Sequence, residues 1–192
     1  MSVEKINLRN GLLILMIVAA AACRFLNLAN LPVLSNFTPV GAIALFGGAY
    51  FSDRIKAYLV PLLTLFLSDL VINYFYTQKL TFFYEGVIWV YLSFAIMVFI
   101  GTRIRRVNVT NVLFASLASV LVHWLLTDIE PWLSSTIYPK NISGYVQALI
   151  AAIPFERNML LGNLLYGALL FGGFELAKRR YPALKPQQEL AL

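Results

Sequence analysis

Ser52-Asp-Arg-Ile-Lys-Ala-Tyr-Leu-Val-Pro-Leu-Leu-Thr-Leu-Phe-Leu-Ser-Asp-Leu-Val-Ile-Asn-Tyr-Phe-Tyr76 decides how this chain is read. Ser52 and Asp53 form a capping pair that starts a helix. The residues after them are mostly apolar, and roughly 20 such residues cross the ~30 Å hydrocarbon layer of a bilayer. The stretch predicts a membrane-spanning helix over 55–76. Its polar exceptions are informative. Asp69, Asn73 and Tyr76 are spaced four and three apart, so they share one helical stripe. A charged group at mid-bilayer costs a few kcal/mol unless it faces protein or water. The stripe therefore faces other helices or a polar cavity.

The rest of the chain repeats the pattern. Of 192 residues, 60% are hydrophobic and only 12% charged, about half the charge of an ordinary soluble domain. Further spans are predicted over 11–28, 39–51, 84–100, 111–127 and 158–177. The expectation is an all-α membrane protein, a single six-helix transmembrane bundle over 1–192. The first block, running through Cys23 into Arg24, reads as a retained helix rather than a cleaved leader. Thr38-Pro39 caps the second helix, which at ~1.5 Å per residue is only about 20 Å long. Gly41, Gly47 and Gly48 predict that it packs closely on a neighbour. A long outer segment, Asp128–Arg157, carries an apolar piece from Val146 to Ile153 that is too short to cross. It is expected at the membrane interface or folded over the bundle.

Basic residues set the orientation. Lys5, Arg9, Arg54, Lys56, Arg103, Arg105, Arg106, Lys178, Arg179, Arg180 and Lys185 fall on one side of the predicted spans; Arg24, Lys79, Lys140 and Arg157 fall on the other. The positive-inside rule then predicts a multi-pass protein with both termini in the cytoplasm. The net charge of +6 is accounted for by these loops, with no need to invoke nucleic acid.

With that orientation, the polar residues of the spans gather in the outer half. Asp69 and Asn73 lie there on the third helix, and His123 and Thr127 on the fifth. Asn158, Asn163 and Tyr166 belong to the sixth, Glu85 and Trp89 to the fourth, and Asn36 to the outer connection. The inner halves are nearly pure Leu, Ile, Val, Phe, Ala and Gly. A polar cavity open outward and closed toward the cytoplasm follows, which is the pattern of a ligand site. Its expected lining is Asn36, Asp69, Asn73, His123, Asn158, Asn163 and Tyr166. Each residue has a plainer reading as well. Arg24 and Asp69 make a structural ion pair; a lone His123 on a Ser-rich stripe packs helices; Trp132 and Trp89 anchor at the interface.

Several chemistries are excluded. No Gly-rich phosphate loop is present, and one His with one Cys leaves no metal cluster. No Gly-x-Ser-x-Gly elbow offers a nucleophile. Neither a cofactor nor catalysis is predicted. Two rival readings stay open: a membrane enzyme on a lipid-linked substrate using His123, Asp128 and Glu130, and a structural subunit of a larger complex.

Longer blocks carry a resemblance. Asn36-Phe-Thr-Pro-Val-Gly-Ala-Ile-Ala-Leu-Phe-Gly-Gly-Ala-Tyr-Phe51, Pro61 with Ser68-Asp69, Tyr138-Pro139, Ala152-Ile-Pro-Phe155, Asn158, Leu161-Gly162, Tyr166 and Leu170-Phe-Gly-Gly173 resemble an uncharacterised family of small bacterial membrane proteins. That family in turn resembles the substrate-binding S components of energy-coupling-factor (ECF) vitamin transporters. The resemblance implies six helices, cytoplasmic ends, an outward pocket for a vitamin or precursor, and an ECF-type energising module as partner. The chain departs from the family pattern at Asn163, where an Asp is expected, and near Gln147-Ala148, where a Cys-Tyr pair is expected.

Overall fold

A computed structural model of the chain describes residues 3–25 and 35–185, with the backbone alone for 3–7. The end of the first expected span, 26–28, and the start of the next connection lie outside the described residues. Every regular element described is helical: α1 (Val3–Ala22), α2 (Val40–Tyr50), α3 (Arg54–Thr77), α4 (Val87–Thr102), α5 (Val109–Thr127), α6 (Ile129–Ser134), α7 (Ile142–Gly167) and α8 (Gly173–Arg180). A π-helical turn, Ala168–Gly172, joins α7 to α8, so the last helix runs unbroken over Ile142–Arg180. Among the described residues four helical segments are long and apolar enough to cross a membrane: Leu8–Phe25, Arg54–Thr77, Val109–Ser134 and Ile142–Arg180. The protein is therefore an all-helical membrane protein. α2 and α4, with 11 and 16 residues, are apolar but shorter than a full crossing.

α2 is the centre of the bundle. It is apolar on every side, and all of Val40 to Gly48 is buried, as expected for a helix surrounded by others. Its glycines set the contacts. A side chain at Gly48 would strike the backbone carbonyl of Val98 on α4. One at Gly101 of α4 would come within 3.0 Å of the Leu45 Cα. The α2 and α4 backbones thus touch. Gly47 gives the same clearance to Pro61 of α3, whose Cγ would be 2.5 Å away.

Local sequence starts the longer helices. The Asp53 carboxylate accepts from the N–H groups of Ile55 and Lys56 at 2.7 and 3.2 Å. Asn108 and Asn141 do the same for α5 and α7, accepting from Asn111 at 2.8 Å and Gly144 at 3.0 Å. The last helix differs from its expected bounds. It starts at Ile142 rather than near 158, so Val146–Ile153 forms its first turns and is not a separate interfacial piece. Pro154 sits within it on an exposed face. At 39 residues this helix is about 58 Å long, well beyond the hydrocarbon thickness.

The chain direction gives the bundle two ends. An upper end is formed by the connections 35–39, 78–86 and 128–141, and a lower end by 51–53, 103–108 and 181–185. The lower end is less purely apolar than the sequence implies. Arg9 donates to the Tyr50 carbonyl at 2.6 Å, the Tyr50 hydroxyl donates to Glu175 Oε1 at 2.6 Å, and Lys178 Nζ pairs with that carboxylate at 3.1 Å. This polar latch sits on an aromatic plug of Phe46, Tyr50, Phe171 and Phe174, with ring centroids 4.6–5.8 Å apart.

Candidate functional site

The upper half holds two polar nodes, with α4 between them. The first is built on Asp69, which the stripe on α3 turns inward (8% exposed). Arg24 Nη2, just past α1, meets Asp69 Oδ1 at 2.8 Å. The same guanidinium hydrogen-bonds Ser68 Oγ and the Leu65 carbonyl, the latter at 3.4 Å. Asp69 Oδ2 accepts from the hydroxyls of Tyr84 and Tyr91 at 3.2 and 3.4 Å. Both carboxylate oxygens are engaged, and a charge of each sign is present. This node is internally complete.

The second node joins α5 to α7. His123 Nδ1 lies 2.8 Å from Glu156 Oε1. Thr127 Oγ donates to the His123 carbonyl at 2.8 Å and stands 3.4 Å from the imidazole. The His123 ring packs against Phe94 of α4, centroids 5.8 Å apart. Asp128, the residue after α5, is buried within electrostatic reach of His123 and Glu156. This node is not complete. Glu156 Oε2 is buried with no hydrogen-bond partner among the described residues.

Unsatisfied polar atoms continue inward from it. Ser119, one turn before His123 on α5, is fully buried, and its Oγ has no partner among the described residues. Asn163, two turns after Glu156 on α7, is fully buried, and neither side-chain atom is bonded there. Its carboxamide packs on Gly41, where any Cβ would collide with it. On α3, Asn73 Nδ2 is likewise buried and unpartnered among the described residues. Buried polar groups in native proteins are nearly always hydrogen-bonded, so each of these four residues calls for a partner.

The other expected site residues are placed differently. Asn158 Nδ2 donates to the Ser35 carbonyl at 2.9 Å and ties the upper connection to α7. Tyr166 is buried, its hydroxyl beside the Cys23 thiol and its ring 6.0 Å from Phe37. Asn36 is exposed in a turn with φ +61° and lies outside both nodes. Tyr76 and Glu85 are exposed, so they do not share the inward path of Asp69 and Ser93. Among the described residues no group of three or more metal-ligating side chains comes together.

Sequence reasoning missed Glu156, Tyr84 and Tyr91. A signal for Glu156 was present. Glu156, Met159, Asn163 and Tyr166 follow at intervals of three, four and three, and all four are buried. Extending the Asn163–Tyr166 face back by seven residues reaches the carboxylate. No comparable periodicity marks Tyr84, because it lies in the connection before α4.

A family model described as a family of unknown function, DUF6580, matches residues 4–184. The chain belongs to this family. No curated protein and no solved structure matches the chain. For this member of the family, then, the two nodes and the unsatisfied atoms between the helices carry the functional reading.

Proposed function

We propose that this protein binds a small solute, a vitamin or vitamin precursor, from the outer side of the bacterial inner membrane and takes part in its uptake. In this reading the chain crosses six times, α2 and α4 completing their passages with flanking residues, and both termini are cytoplasmic. The arrangement is that of an ECF-type S component, with release to the cell driven by an energising module. No catalytic role is assigned to any side chain.

One observation carries the reading. On α5 and α7, the buried atoms Glu156 Oε2, Ser119 Oγ and both ends of the Asn163 amide have no partner among the described residues. Leaving a buried donor or acceptor unmade costs about 1–3 kcal/mol each. A protein with no use for these groups gains stability by replacing them with apolar residues. A solute bearing complementary donors and acceptors offsets that cost on binding. The Arg24–Asp69 node, already complete, serves in this reading as a fixed wall rather than as a contact.

The test is native mass spectrometry of protein extracted from its own membranes, joined to a thermal-shift screen of the purified protein. A solute that co-purifies or raises the midpoint in the wild type, with the effect abolished in Asn163→Ala and Ser119→Ala, supports the assignment. If no solute class does so, or if these substitutions leave binding untouched, the site is elsewhere or absent.

A further inference from the structure

We infer that the solute is an organic cation, whose ammonium group is received by Glu156 and Asp128. The inference rests on the solute-binding reading above and names the chemistry of that same site.

The two nodes differ in charge balance. In the first, one guanidinium faces one carboxylate, and two tyrosine hydroxyls fill the remaining acceptor positions of Asp69. In the second, the imidazole of His123 pairs with Glu156, and a second buried carboxylate, Asp128, lies within electrostatic reach of both. The groups facing them are His123 and Thr127 on α5, Phe94 on α4 and Tyr145 on α7. Among these only His123 is able to carry a positive charge. With both carboxylates ionised, even a protonated His123 leaves one negative charge in excess, which a cation or a bound proton has to balance. Tyr145 does not relieve it, since its hydroxyl donates to the Leu125 carbonyl at 2.5 Å.

The node therefore lacks one positive charge for the pair of carboxylates and one hydrogen-bond donor at Glu156, whose Oε2 has no partner among the described residues while its side chain is 7% exposed. A buried charge without a counter-charge is strongly unfavourable. A protonated amine supplies charge and donors together. Phe94 packs its ring against His123, centroids 5.8 Å apart, and aromatic faces attract cations. An anionic solute would add to the excess charge. A neutral alcohol would meet the acceptor but leave the charge.

The experiment uses full-length protein in nanodiscs near neutral pH, with three matched probes: 2-phenylethylamine, 2-phenylethanol and 3-phenylpropionate. At about 10 mM the amine is expected to raise the melting midpoint by roughly 3 °C or more, and the alcohol and the carboxylate by much less. Glu156→Gln and Asp128→Asn should each remove most of the amine shift, while Glu85→Gln, an exposed acid at the same end, keeps it. If Glu156→Gln fails to fold, Asp128→Asn and the ranking of probes on wild-type protein decide. The inference is overturned if the amine stabilises no more than the alcohol, or if both variants respond like wild type. A neutral or anionic solute whose effect is lost in Asn163→Ala would overturn the cation assignment and leave the uptake reading standing.

Discussion

At the scale of single residues, Asn163 and Arg24 make opposite predictions. The Asn163 amide is buried without hydrogen bonds among the described residues, so truncating it removes a desolvated group that gives nothing back. Asn163→Ala is expected to leave the solute-free protein as stable as wild type or more stable by about 1 kcal/mol, while abolishing the ligand-induced shift. A loss of stability in thermal unfolding would contradict an unsatisfied amide. Arg24 is the reverse case. It supplies the counter-charge of a pair only 15% and 11% exposed at its side chains. Arg24→Ala strands Asp69 and should cost about 3–5 kcal/mol, whereas Arg24→Met with Asp69→Leu should recover most of it. Equal losses in single and double variants would show that packing, not the pair, matters there.

At the scale of elements, the crossing of α2 and α4 is the most constrained contact. A new side chain at Gly48 would meet backbone, the Val98 carbonyl and the Gly101 Cα, so no rotamer change makes room. Gly48→Val should lower stability by about 1–3 kcal/mol or more. Gly11 on α1 has nothing within 4 Å of where a Cβ would stand, so Gly11→Ala is expected to be neutral or to stabilise by about 0.5–1 kcal/mol. Unfolding midpoints of the two variants check the contrast. The last helix shows why its start was not legible. Pro154 with the charged pair Glu156-Arg157 looks like a helix boundary in sequence. In the fold, Pro154 stands on an exposed face and Glu156 turns inward to His123, so the helix continues through both.

At the scale of the whole molecule, the basic residues predict orientation. Arg103, Arg105 and Arg106 and the Lys178-Arg-Arg180 run cluster at the lower end, which the positive-inside rule assigns to the cytoplasm. Cys23 is the only cysteine, so a Cys23→Ser background gives clean labelling. In intact cells a membrane-impermeant maleimide should label a cysteine at Gln78 and spare one at Tyr181. The reverse pattern would place the two polar nodes on the cytoplasmic side and end the uptake reading. At that lower end the Arg9–Tyr50–Glu175 latch lies over its aromatic plug and fills the bundle, as the uptake reading requires of its cytoplasmic side.

What the sequence determined by itself is everything that depends on neighbours along the chain. Runs of apolar residues, the Asp53 cap and the Gly-rich second helix fix the helical, membrane-spanning character and the close packing of α2 on a neighbour, because hydrophobicity and helical period act locally. Asp69 and Asn163 were legible as inward-facing for the same reason. The tertiary structure decided the partner of the second node: Glu156 meets His123 across 33 positions of chain through helix packing that no local pattern encodes, whereas the pairing of Arg24 with Asp69 across 45 was already among the readings of the sequence. Whether a buried polar atom is satisfied depends on groups brought from other helices, so only the fold separates the completed Asp69 node from the open one at Glu156.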